Sequence, residues 1–197
     1  GLGDVYKRHG QTVQQAIRQY QQERDPRDTL LAFKRGAVVH FAVDPDEVFM
    51  TTRLQGAETQ FLPFNKGRGD GKRKGAGNPD NPAGYKTDYL WEEVWERESW
   101  LDILARFVHL QRSDPRDRRS EESMIFPRYH QLEATRAVEA DAFAHGPGRR
   151  YLIQHSAGSG KSNTIAWIAH GLFRLHDVAD RLLFDTVVVI SDRTVLD

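Results

Sequence analysis

The chain has no cysteine. That excludes a disulfide framework and any thiolate metal site. Its 28 lysines and arginines are matched by 28 aspartates and glutamates, so there is no global basic field to draw nucleic acid, and any phosphate-binding surface has to be a local patch. The eight histidines are scattered, and none forms an H-E-x-x-H or H-x-x-x-H pair that would set two ligands on one helix face. A structural zinc is therefore not expected. No apolar run approaches the ~18 residues needed to span a bilayer, and no charged-then-apolar leader pattern opens the chain. The simplest location is cytoplasmic, with no membrane partner.

What the chain does contain is a strand, a phosphate-type loop and a helix in one continuous run, Tyr151 to Leu175. Tyr151-Leu152-Ile153-Gln154-His155 is short and mostly apolar, the pattern of a buried parallel strand. Ser156-Ala157-Gly158-Ser159-Gly160-Lys161-Ser162 follows directly. Small residues and glycines there allow successive backbone N–H groups to curl around an anion, and a helix beginning near Lys161 aims its positive dipole end at the same point. Lys161 is then placed to reach the β- and γ-phosphates of ATP, and the Ser162 hydroxyl to hold Mg2+. The general pattern G-x-x-x-x-G-K-[ST] begins with a glycine where this chain has His155. A Gly-x-Gly-Lys-Ser core without that leading glycine is common in nucleic-acid helicases and translocases. The plainer reading, a glycine-rich turn that carries a lysine, leaves the order strand, loop, helix unexplained. The helix from Asn163 to Leu175 presents Ile165, Trp167, Ile168, Leu172 and Leu175 at buried-helix spacing.

Upstream, Gln11 to Arg24 carries Val13, Ala16, Ile17 and Tyr20 at i, i+3, i+4 and i+7, an amphipathic helix stopped by Asp25-Pro26. The runs 37–43 and 47–53 flank Asp44-Pro45-Asp46 and predict an antiparallel hairpin, with Thr59 to Leu62 as a third strand. Residues 65–84 are too rich in glycine, lysine, arginine, asparagine and proline to bury a core or to order by themselves, and predict a mobile loop. Its basic residues Lys66, Arg68, Lys72, Arg73 and Lys74 suit DNA phosphates and a solvated surface about equally. Asp70-Gly71-Lys72 echoes the end of a nuclease D-x-K signature, but metal-dependent cleavage needs carboxylates fixed on a rigid sheet. Two helices should follow, one with Tyr89, Leu90, Trp91, Val94 and Trp95, the next capped by Ser99 and offering Trp100, Leu101, Ile103, Leu104, Phe107 and Val108. These rings recur at core spacing, which favours packing on the hairpin over base stacking.

Residues 111–123 are almost all charged or polar and predict a domain linker. A helix from about His130 to His145 should end at Gly146-Pro147-Gly148. Thr186 to Ile190 is a second apolar strand that would close a right-handed strand-helix-strand crossover. Ser191-Asp192-Arg193-Thr194 would sit at its C-terminal edge, where ligands bind in such sheets.

Several stretches in order carry a more specific likeness: His40-Phe41-Ala42-Val43, Met50-Thr51-Thr52-Arg53-Leu54, Phe61-Leu62-Pro63-Phe64-Asn65, Tyr89-Leu90-Trp91-Glu92-Glu93-Val94 and Ser99 to Leu104. Ile125-Phe126-Pro127-Arg128-Tyr129-His130-Gln131, Leu152 to Ser162 and Val188 to Asp197 complete the set. From Gln11 onward the chain resembles the central part of the R (restriction and translocation) subunit of type I restriction enzymes. That resemblance implies an α/β fold in which residues 1–110 are the later part of a PD-(D/E)xK-like nuclease domain, beyond its catalytic residues. Residues 111–123 would link it to the start of a RecA-like motor domain of helicase superfamily 2 at 124–197. Such nucleases carry a helical Q-x-x-x-Y element; here Ala16 stands at the glutamine position before Tyr20, so that site is not carried over.

In the motor, the resemblance makes Gln131 the glutamine that reads adenine, Ser156 to Ser162 the ATP loop, and Asp192, Arg193 and Thr194 a segment toward DNA. It implies ATP-dependent translocation on double-stranded DNA coupled to its cleavage, in complex with modification (M) and specificity (S) subunits, the S subunit reading the recognition sequence. A P-loop kinase or other small NTPase that does not act on DNA shares the loop, and so does an interaction module in which the loop is vestigial. DNA-stimulated hydrolysis and Lys161-dependent nucleotide binding separate the three. No Asp-Glu box or arginine finger follows the loop within the 197 residues, and losing one such group commonly costs about 10³-fold. Weak nucleotide binding without turnover is therefore expected of this chain by itself. Two parallel strands cannot close a core, so apolar faces are expected at its surface.

Overall fold

Thr12 opens the first helix, α1 (Val13–Gln22), with a reciprocal cap: its Oγ1 accepts from the Gln15 N–H at 3.3 Å, and Gln15 Oε1 accepts from the Thr12 N–H at 2.9 Å. In this computed structural model, residues 11–68 and 77–191 are described; they form two compact units divided between Arg128 and Tyr129. Val13 and Ile17 are buried on the inner face of α1 and cluster with Ala42, Phe49 and Phe61. The apolar stripe legible in the sequence is thus the face that the sheet covers.

That sheet is antiparallel, in the order β1 (His40–Val43), β2 (Val48–Thr51), β3 (Leu62–Pro63). His40 lies opposite Thr51 and Val43 opposite Val48, as the strand runs around Asp44-Pro45-Asp46 require. One carboxylate organises the turn: Asp44 Oδ1 accepts from the N–H groups of Asp46 (2.9 Å) and Glu47 (2.8 Å), and its Oδ2 accepts from the Val13 N–H at 2.7 Å. The hairpin tip and the start of α1 are therefore tied through one side chain. The third strand falls at Leu62–Pro63 rather than at 59–62, because Thr59 is spent on a turn, donating to the Gly56 carbonyl at 2.7 Å and accepting from Gln55 N–H at 2.7 Å.

Aromatic rings close the first core. Phe41 meets Phe64, Trp95 and Phe126 edge-on at 5.4, 5.7 and 6.0 Å, and Trp100 lies 5.9 Å from Phe126. A π-helical turn (Leu90–Val94) precedes α2 (Arg97–Asp102), which runs on into a second π-helical turn, Ile103–Phe107. Glu96 rather than Ser99 caps α2: its Oε2 accepts from the Ser99 N–H at 2.9 Å, so the serine is the third helical residue and supplies the donor. Buried Asn65 accepts from Val48 N–H at 2.8 Å and from Asn78 Nδ2 at 3.0 Å, while Asn78 Oδ1 accepts from Lys66 N–H at 2.8 Å. The two amides clasp the ends of the glycine-rich stretch, whose residues 69–76, with Asp70, Gly71, Lys72, Arg73 and Lys74, lie outside the described residues.

The charged stretch 111–123 belongs to a second antiparallel hairpin, β4 (His109–Arg112) with β5 (Glu122–Ile125). All of β4 is exposed, so no alternation of polar and apolar residues announces it. Its tip is built from the two aspartates, Asp114 and Asp117, which accept from the N–H groups of Arg116 and Arg119 at 2.8 Å each.

The second unit is a pair of packed helices, α3 (Tyr129–His145) and α4 (Lys161–Phe173). The stripe Leu132, Thr135, Val138 and Ala142 is buried on α3, and Thr164, Trp167 and Gly171 on α4. Gly171 is where the helices need room, since a Cβ there would lie 1.7 Å from Glu139 Oε1. α3 ends where the sequence places its stop, with Gly146 at φ +71° and its N–H on the Ala142 carbonyl.

The fold is mixed α/β, with small antiparallel sheets and helices. The parallel strands expected at 151–155 and 186–190 do not pair among the described residues. Leu152, Val188 and Ile190 are instead 93%, 73% and 90% exposed. A parallel strand is stable only inside a larger sheet covered on both faces, and no further strand of the second unit is described to pair with either.

Candidate phosphate-binding loop

The segment entering the loop is tied back to α3. Tyr151 donates its hydroxyl to Asp141 Oδ2 at 2.7 Å, which holds the Asp141 carboxyl below the usual carboxylate range and pushes the Tyr151 phenol up. Four residues later the His155 ring meets His130 edge-on at 4.7 Å. From Ser156 the chain turns back on itself. Gly158 and Gly160 take left-handed φ values of +72° and +79°, a conformation that side-chain-bearing residues adopt only with strain.

The bend closes on a single acceptor. The Ser156 carbonyl receives the Ser159 N–H (3.3 Å), the Ser159 hydroxyl (2.7 Å) and Lys161 Nζ (2.9 Å). Ser159 is buried, Ser156, Ala157 and Lys161 are exposed, and Ser162 is half-buried. α4 starts at Lys161 with Gly160 as its N-cap and no side chain capping it. Its first internal bond runs from Thr164 N–H to the Gly160 carbonyl at 3.3 Å, so the N–H groups of Lys161, Ser162 and Asn163 precede the helical ladder. Uncapped amides at a helix start, with the dipole behind them and an ammonium beside them, are suited to an anion.

Two side chains of α3 hold the loop from behind. Gln131, 3% exposed, donates from Nε2 to the Gly160 carbonyl at 2.8 Å. His130 places Nε2 3.2 Å from the Ser159 carbonyl. Ser156 to Ser162 form one bend, and Gln131 is engaged on it through the Gly160 carbonyl. Asp192, Arg193 and Thr194 lie outside the described residues. His130 is the contact that sequence reasoning missed; its only trace was its place beside Gln131, because the partner lies 29 residues away.

Among the described residues no group of histidine, aspartate and glutamate is arranged to hold a metal. Ser162, half-buried in the first turn of α4, carries the hydroxyl that a cation held chiefly by phosphate oxygens and water would take. That fits Mg2+, which takes few protein ligands and relies on phosphate oxygens and water. Elsewhere, a shallow depression in the first unit is lined by Pro45, Asp46, Asp80 and Lys86, but Lys86 is already spent on Asp46 (3.0 Å) and Asp80 (3.1 Å). Of the basic residues near the glycine-rich stretch, Lys66 pairs with Glu93 at 2.6 Å. No family model, curated protein or solved structure matches the chain.

Proposed function

We propose that the unit from Tyr129 onward is the ATP-binding part of a DNA-translocating motor like the R subunit of type I restriction enzymes, and the earlier unit the later part of its nuclease domain. One observation carries this reading: the bend at Ser156 to Gly160, with both glycines left-handed, delivers Lys161 and three uncapped amides to the start of a long helix. A triphosphate would take Lys161 Nζ from the Ser156 carbonyl onto its own oxygens and accept the N–H groups of Lys161, Ser162 and Asn163. Ser162, with those oxygens, would hold Mg2+, which neutralises phosphate charge when bound. A RecA-like arrangement would further bring 151–155 and 186–190 into one parallel sheet, with Asp192, Arg193 and Thr194 at its edge toward double-stranded DNA. In such an assembly translocation drives cleavage, and M and S subunits are the protein partners.

The direct test is a calorimetric titration of the chain with Mg2+ and ATP, repeated on Lys161→Ala. Binding that disappears in the variant supports the loop; binding indifferent to the substitution, or none to either protein, rejects it. Stimulation of hydrolysis by duplex DNA in the full-length protein separates a translocase from a P-loop kinase or other small NTPase.

A further inference from the structure

We infer that Gln131 is a positioning residue for the phosphate loop and not a reader of the base, so that the site selects a polyphosphate and, through this residue, ignores the nucleobase attached to it. This deepens the reading above and rests on it.

Three features interlock. Gln131 is 3% exposed and donates Nε2 to the Gly160 carbonyl at 2.8 Å. Gly160 sits at φ +79°, and a Cβ there would stand 2.6 Å from that same Nε2, so the amide occupies the space that glycine leaves. One residue earlier on each side, His130 Nε2 lies 3.2 Å from the Ser159 carbonyl. Consecutive residues of α3 therefore hold consecutive carbonyls of the loop.

The consequence follows from peptide geometry. In a planar trans peptide the carbonyl and the next N–H point in opposite directions. Drawing the Ser159 and Gly160 carbonyls toward α3 turns the N–H groups of Gly160 and Lys161 away from it, where an anion can collect them. The hydroxyl of Thr135, itself fully buried, donates to the Gln131 carbonyl at 2.9 Å and fixes the backbone from which the amide reaches. A glutamine that reads adenine offers its oxygen and nitrogen together to the base edge. Here one of the two Nε2 hydrogens is on the loop and the residue is 3% exposed, so the amide edge meets a base only if the residue is first uncovered from its place against the loop.

The experiment compares three probes on the full chain with Mg2+: inorganic tripolyphosphate, ATP and GTP. Gln131→Ala removes the donor, and Gln131→Glu keeps the volume while setting a carboxylate against the carbonyl. Both variants should lose about tenfold in affinity, by the same factor for all three probes, with melting temperatures recorded alongside. Loss for ATP alone, with tripolyphosphate and GTP unchanged, would make Gln131 a base reader and overturn the inference. So would unchanged binding of every probe while Lys161→Ala still abolishes it, an outcome that leaves the loop itself standing. If wild type binds none of the probes in a Lys161-dependent way, the phosphate reading and this inference fall together. Should the Gln131 variants not fold, His130→Ala tests the neighbouring carbonyl: a uniform loss across the probes supports the positioning role, and no loss counts against it.

Discussion

The two units of this chain bury themselves in different ways. In the first, Phe64, Leu90, Val48 and Ile103 are completely enclosed, and one ring, Phe41, touches three other aromatics. In the second, most burial lies along one stripe between two helices, with Ser159 of the loop also covered, while Leu152, Val188 and Ile190 stand in solvent. The first unit is made from antiparallel neighbours a few residues apart, such as Val43 opposite Val48, where pairing costs little loop entropy. In the second, the apolar runs 151–155 and 186–190 have no strand partner among the described residues, and parallel pairing across a helix is rewarded only by a larger sheet.

Substitutions can break or sharpen this contrast. Phe64→Ala should cost the first unit about 3–5 kcal/mol in urea denaturation and leave Lys161-dependent tripolyphosphate binding in place; loss of both would show that the units do not stand alone. Asn65→Ala leaves the Val48 N–H without its acceptor, and should cost about 1–3 kcal/mol by the same measurement. A pH-gated effect comes next. Burial holds His40 below its ordinary pKa of 6.5, so the unfolded chain binds the proton first. Stability is then full above that value and declines as pH falls through it, and denaturation midpoints at several pH values should flatten in His40→Asn. Thr12→Ala removes one half of the α1 cap and should cost about 1 kcal/mol. At the other extreme, Val188→Ser, on a side chain 73% exposed, should change thermal stability by less than about 0.5 kcal/mol. A larger loss would mean that the segment is paired after all.

What could be read in the residues tracks the same divide. The stripe Val13, Ile17 on α1, the hairpin around Asp44 and the stop at Gly146 all rest on local chemistry, and each appears where spacing or turn residues put it. Glu96 displaced Ser99 as cap because the helix begins at Arg97, before the serine, and the Glu96 carboxylate accepts from the Ser99 N–H of its first turn. The hairpin β4–β5 was hidden in a run of charge, since a strand open to water on both sides has no periodic signature. At the candidate site, the bend was legible from the Gly-x-Gly-Lys-Ser core between an apolar run and a helix. The hold on Ser159 and Gly160 by His130 and Gln131 was not, because a contact spanning 29 residues leaves no local pattern.

The crowded carbonyl of Ser156 has one more consequence. An incoming anion does not meet a bare ammonium; it must outcompete an oxygen already in place. A solute with one weakly basic oxygen would gain little from that exchange, whereas a chain of phosphates could engage Lys161 and the amides at once. If the bend binds phosphate as proposed, this resting contact would set a threshold that favours multidentate ligands over small salts.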